Sequence, residues 1–210
     1  RNLITWMYLK TTGNSATFND YKNFIEQHSI YPRINRIKYL AEQKIYLKNN
    51  SPTSIINWFE KNPPLGGLGK IKLAEAYLEQ GKFTKVKKLI KEGWVTADIN
   101  KNNLSNYRGK FKKFLTSEDH LKRADYLAWE KKYWDLKRML KYLPKDERAV
   151  YNARQILMSN SYGVDNAILK VPNHLKKNIG LEYDRLRWRN RRGRLEGSLE
   201  ILYKNSNRTE

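Results

Sequence analysis

Residues 73–94 read LAEAYLEQGKFTKVKKLIKEGW. Ala74, Tyr77 and Leu78 share one helical face before Gly81, and Phe83, Val86, Leu89, Ile90 and Trp94 share another after it. Apolar residues three, four and seven apart form a stripe along an α-helix, and the lysines here fill the rest of the circumference. Gly81 can take a positive φ without steric cost, so the chain can reverse there. The stretch predicts two helices folded into an antiparallel hairpin. One hairpin cannot cover both of its stripes, so it needs a neighbour of the same kind.

Two further stretches have the same outline. YLAWEKKYWDLKRML (residues 126–140) places Tyr133, Leu136, Met139 and Leu140 where Phe83, Val86, Leu89 and Ile90 stood. LRWRNRRGRLEGSLEIL (residues 186–202) turns at Gly193 and continues with Leu195, Ser198, Ile201 and Leu202. A weaker copy runs from Ala153 to Leu169. Hinges roughly 30 to 50 residues apart fall in the period range of helical solenoids. The prediction is an all-α chain, residues 1–210, of stacked antiparallel helical hairpins forming a superhelix. Trp94, Trp129 and Trp188 recur near the hairpins and are expected to be buried between successive ones.

Local signals agree with helices throughout. Leu3 to Lys10, Phe18 to His28 and Pro32 to about Leu47 are expected as the first three helices. Ser51-Pro52 is an N-cap and N1 pair, and Ser117 is a cap followed by Glu118 and Asp119. Asn62 to Gly69 holds two prolines and three glycines and reads as a turn. Further helices are expected from Leu104 to Leu115 and from Pro144, and Gly180 precedes the last hairpin. No alternating β-branched stretch flanked by hairpin turns is present.

Lys and Arg number 42 against 21 Asp and Glu, a net charge of +21, and the mean hydropathy is -0.83. Such values approach those of disordered chains. Aromatics at 12% of the sequence, set at helical spacing, argue for a folded one. The absence of cysteine excludes disulfides and thiolate metal sites. No apolar run nears the length of a membrane span. The first residues carry no basic–apolar–small signal pattern, so a targeting peptide is expected to have been removed or to lie outside this sequence. A basic surface fits nucleic acid, anionic lipid or an acidic cell-wall polymer. Compositional bias, in a chain also rich in Asn and Ile, is the competing account.

Candidate chemistry is sparse. Lys70 follows a glycine cluster, yet Ile71 stands where a phosphate-binding loop needs a hydroxyl, and no strand precedes it. His28, His120 and His174 are scattered without companion ligands at metal spacing, so neither metal nor cofactor is expected. Asp119 and Arg123 have the spacing of a helix ion pair. Glu182 and Asp184 lie among arginines expected to hold their pKa values down, which disqualifies them as general acids. The densest charge cluster is Arg185, Arg187, Arg189, Arg191, Arg192 and Arg194. Within it Arg185, Arg189 and Arg192 share one face and form a candidate surface for an anionic polymer. The competing reading is a solvated helix with one or two arginines tied to neighbouring carboxylates.

Taken in order, five stretches resemble the superhelical, U-shaped domain of the soluble lytic murein transglycosylases. FNDYKNFIEQHSIYPRINRIKY (18–39) is similar to the early hairpin with its F-L-x-x-H-P-x-W-P turn. WFEKNPPLGGLGKIKLAEAYLE (58–79) is similar to the P-L-T-G-x-G turn and L-A-E-A-L-L helix. IKEGWVTAD (90–98), DHLKRADYLAW (119–129) and VPNHLKKNIGLEYDRLRW (171–188) resemble the I-R-E-A-W-x-x-x-D, D-H-x-x-R-x-D-x-L-L-W and V-P-x-x-L-x-x-x-x-G-L-x-Y-x-R-x-R-W segments. Gly66 stands where Thr is usual, and the His-Pro turn is stretched to His28-Ser29-Ile30-Tyr31-Pro32.

The resemblance implies a periplasmic protein. The family's enzymes cleave the MurNAc–GlcNAc bond of peptidoglycan to a 1,6-anhydromuramic end, using one Glu followed by Ser in a lysozyme-like C-terminal domain. This sequence has no Glu-Ser dipeptide and no G-L-M-Q motif. No catalytic residue is therefore assigned, and the catalytic domain is expected to lie outside residues 1–210. What remains is a non-catalytic scaffold that guides or weakly binds glycan strands, with peptidoglycan and that catalytic domain as its partners. A free-standing helical-repeat module for protein partners is the alternative, and nucleic acid is disfavoured.

Overall fold

The computed structural model describes residues 2–159 and 162–206. Among them every regular element is helical. The chain forms two compact units, Arg1–Leu115 and Thr116–Glu210.

The first unit holds α1 (Asn2–Lys10), α2 (Phe18–Gln27), α3 (Ile34–Gln43), α4 (Pro52–Lys61), α5 (Gly67–Glu79), α6 (Phe83–Thr96) and α7 (Lys101–Lys110). Side-chain caps define several starts. Thr17 and Asp20 form a reciprocal capping box on α2, Ser51 accepts from the Ser54 N–H on α4, and Asn100 accepts from Asn103 on α7. The third helix is shorter than its sequence suggests. It begins at Ile34, after Arg33 in a left-handed conformation, and stops at Gln43 instead of about Leu47.

Helix α5 is the centre of this unit and packs against α6, α4 and α3. It also corrects the expected extent of the turn at residues 62–69. It starts inside the glycine-rich stretch, taking in Gly67 and Gly69, because both glycines are in close contact with neighbours. It is also buried on every side along its middle, so Lys72 and Glu75 lie inside with Ile71, Ala74 and Tyr77. A Cβ on Gly93 would lie 2.7 Å from the Gly67 carbonyl oxygen. The start of α5 therefore rests on the end of α6, and the predicted hairpin is antiparallel. Val86, Ile90 and Trp94 face inward as expected, while Phe83 is exposed and stacks on Phe114 at 6.4 Å.

The second unit holds α8 (Ser117–Trp129), α9 (Tyr133–Met139), α10 (Lys145–Leu157), α11 (Val164–Leu169), α12 (Ile179–Arg191) and α13 (Leu195–Ser206). Thr116, one residue before the expected Ser117, is the N-cap of α8, in a capping box with Asp119. Val150, Ala153, Leu157, Val164, Ala167, Val171, Leu181 and Trp188 make one apolar cluster. Gly180 lies within α12, not ahead of it. The middle of the weaker copy, residues 160–161, lies outside the described residues.

The turns of the three expected hairpins share one geometry. Gly81, Lys131 and Gly193 all have positive φ (69°, 56° and 66°). The N–H of each bonds the carbonyl three residues back, and the next N–H bonds the carbonyl five back. These are Schellman turns, which satisfy the last carbonyls of the first helix while reversing the chain.

Candidate functional site

Helices α8 and α12 each present a pair of residues one turn apart on a single face: Asp125 and Trp129 from α8, Tyr183 and Arg187 from α12. The Trp129 and Tyr183 rings lie 5.1 Å apart at a tilt of 40°. Both remain open to solvent, at 43% and 42% exposure. This corrects the expectation that Trp129 is a buried anchor. Trp94 and Trp188 are buried, but Trp129 closes α8 with its ring at the surface. The Arg187 guanidinium sits 5.6 Å from the Tyr183 ring centre.

Beneath the aromatic pair is Arg154 of α10, whose side chain has no solvent exposure. Its Nη1 donates to Asp125 Oδ1 at 2.7 Å and its Nε to Asp184 Oδ2 at 2.8 Å. The guanidinium carbon lies 5.1 Å from the Trp129 ring and 5.6 Å from Tyr151. Gly180 has no side chain because Arg154 fills the space that a Cβ would take. One arginine thus ties α8, α10 and α12 together and fixes the plane of Trp129. Burial of a charge with several partners of good geometry rigidifies its surroundings. Burial also pushes the Asp184 carboxyl up, with Arg154 pulling it back, so the arginine-rich surroundings do not depress it as the sequence suggests. The Tyr151 hydroxyl, buried and beside Asp125, is raised to about 12.

Several arginines of residues 185–194 have separate local partners. Arg189 Nη1 donates to the Gly197 carbonyl and, at 3.2 Å, to Glu200 of α13. Arg191 Nη2 donates to the Leu157 carbonyl at 2.5 Å, capping the end of α10. Arg192 and Arg194 lie over Trp188 at 5.2 and 5.1 Å. Of the predicted trio, Arg185 is half-buried, Arg189 ties α12 to α13, and Arg192 covers an indole. None of the three belongs to the Trp129–Tyr183 pair.

Other buried charges in the first unit hold helices in place. Glu42 is 1% exposed and accepts from the Leu65 and Gly66 N–H groups at 2.5 and 3.1 Å, against the glycine-rich start of α5. Burial raises its pKa to about 7 despite these two bonds. Lys72, lowered by burial, sits 3.6 Å from Glu75 and over the Tyr46 and Tyr107 rings at 4.7 and 5.4 Å. His120, which the sequence left isolated, is buried with its ring 6.0 Å from Tyr142. Asp119 accepts from the Thr116 N–H and hydroxyl, both at 2.8 Å, which is a capping role. No group of three or more His, Asp or Glu suited to a metal ion occurs among the described residues.

Compared with models of known protein families, with curated proteins and with solved structures, the chain matches none. Chemistry must therefore be read from the site itself. Two adjacent exposed rings offer negative π faces, against which the C–H face of a sugar ring packs. Among the described residues Asp125 is engaged through Oδ1, which leaves Oδ2 as an acceptor for a hydroxyl. Arg187 supplies planar N–H donors for a carboxylate or hydroxyl. The arrangement can hold a polar ligand with one flat apolar side.

Proposed function

We propose that this chain is a non-catalytic, superhelical scaffold segment of a periplasmic lytic murein transglycosylase, and that its Trp129–Tyr183 surface holds glycan strands of peptidoglycan. One observation carries the reading: two large aromatics stay exposed side by side while a fully buried, doubly paired arginine lies against one of them, Trp129. A side chain exposed merely by chance needs no such support. The residues behind the resemblance add weight. Gly69 stands where Glu42 reaches the start of α5, Gly180 stands where Arg154 passes, and Asp125 pairs with that arginine. In this reading those motif positions fasten helix to helix, and the hairpins stack into a superhelix.

The test is sedimentation with purified peptidoglycan sacculi at physiological salt, comparing the parent with Trp129→Ala/Tyr183→Ala. The double variant should lose most of the binding while keeping its helical spectrum, and neither protein should release anhydromuropeptides. Undiminished binding by the double variant would remove the glycan role from this surface. A module for protein partners is the second reading, favoured by Leu195, Leu199, Leu202 and Tyr203, which form an exposed stripe on α13. In that case sacculi binding is absent from the parent as well.

A further inference from the structure

Helix α1 hides little of itself. Of its nine residues only Leu9 is buried. Leu3, Ile4, Met7 and Tyr8 are all exposed, Ile4 at 73%, and at 100° per residue they occupy one continuous arc. Trp6 and Lys10 border that arc, with the Lys10 ammonium 3.6 Å from the indole centre. The Trp6 Nε1 donates to the Pro32 carbonyl at 2.8 Å, and its ring lies 6.2 Å from Tyr31. This brings in the loop before α3, where Ile30 is 96% exposed and Arg33 and Arg36 follow. Four large apolar side chains on one helical arc, with Ile30 exposed on the loop that Trp6 touches, exceed the scattered exposure of an ordinary soluble surface.

The charge around this face selects its partner. Residues 1–50 contain eight Lys and Arg against three carboxylates, Asp20, Glu26 and Glu42. Asp20 is committed to the capping box of α2, and Glu42 is buried against Leu65 and Gly66. A second copy of the chain would bring a further +21 charge to the contact, which opposes association. A polyanion without an apolar part would leave the arc uncovered. An anionic lipid surface meets both demands: its acyl boundary takes the apolar arc and its headgroups take the basic rim. We infer that the α1 face, Leu3, Ile4, Met7, Tyr8 and Ile30 rimmed by Lys10, Arg33 and Arg36, docks peripherally on an anionic bilayer. The helix lies along the interface and does not span it, since no helix among the described residues is long and apolar enough to cross a membrane.

The experiment is co-sedimentation of the full chain with phosphatidylcholine vesicles, with and without phosphatidylglycerol. The parent and an Ile4→Ser/Met7→Ser variant are compared at physiological salt, with light scattering of the free proteins. Both changed residues are exposed, so the variant should match the parent in its melting curve. The parent should bind the phosphatidylglycerol vesicles and barely bind phosphatidylcholine alone, and the variant should bind roughly tenfold or more weakly. Equal binding by parent and variant would reduce the effect to bulk charge and overturn the inference. So would failure of the parent to bind phosphatidylglycerol vesicles. A concentration-dependent dimer of the parent that disappears in the variant would assign the face to a second copy instead.

Discussion

The buried charges have consequences that can be tested residue by residue. Glu42 ordinarily ionises at 4.5 but is raised to about 7 in the folded chain, because burial outweighs its two backbone bonds. Below 4.5 the carboxyl is protonated in folded and unfolded chains alike. Between 4.5 and about 7 only the unfolded chain ionises it, so its contribution to stability is lost as pH rises through that window. Thermal midpoints measured across the window should fall for the parent, and this component should vanish in Glu42→Gln. Gly180 gives a second test. A methyl group there meets the Arg154 guanidinium, which is held by Asp125 and Asp184 and cannot easily move. Gly180→Ala should therefore cost about 1–3 kcal/mol by overpacking, measured by urea denaturation. Neither role was legible from local pattern. In a single sequence Glu42 looks like one more polar residue in IKYLAEQK, and Arg154 like a solvated position in YNARQIL. Their partners lie 23 and about 30 residues away, and helical periodicity says nothing about such pairings.

At the scale of elements, the periodic stripes specified the helices well, because a 3.6-residue repeat is a local property of the chain. Hinges at Gly81 and Gly193 were legible for the same reason: glycine is the residue that a left-handed helix end prefers. The hinge between α8 and α9 carried no such mark. Lys131 takes φ 56° there, although a side chain makes that conformation costly. Its turn has the same two backbone bonds as the glycine hinges. Lys131→Gly should therefore stabilise the chain by about 1 kcal/mol, while Gly81→Ala should destabilise it by a similar amount. Paired denaturation curves of the two variants check both signs. The stripes misled where a helix is buried all round. On α5 the single stripe of Ala74, Tyr77 and Leu78 gives no sign that Lys72 and Glu75 pair with each other in the interior. Trp129 failed the opposite way, since spacing alone cannot tell a ring that seals a core from one that closes a helix at the surface.

At the scale of the whole molecule, a net charge of +21 and the aromatic surface are two separable ways to hold an acidic glycan. Attraction through exposed charges is weak per contact and screened within about 10 Å at 0.1 M salt. Packing of a sugar face on Trp129 and Tyr183 is short-ranged and depends little on ionic strength. A salt series of sacculi sedimentation should therefore resolve two components. The parent should fall steeply at first and then level at a residual. Trp129→Ala/Tyr183→Ala should show the same early fall but lose the residual. A variant with Lys85, Lys87 and Lys88 changed to alanine, all exposed on α6, should fall less steeply and keep the residual. Replacing Arg189 is a poorer probe of charge, because it also cuts the tie between α12 and α13. If the parent decays to nothing as salt rises, with the aromatic variant tracking it throughout, charge alone accounts for the binding. The fixed Trp129–Tyr183 pair would then need a different ligand.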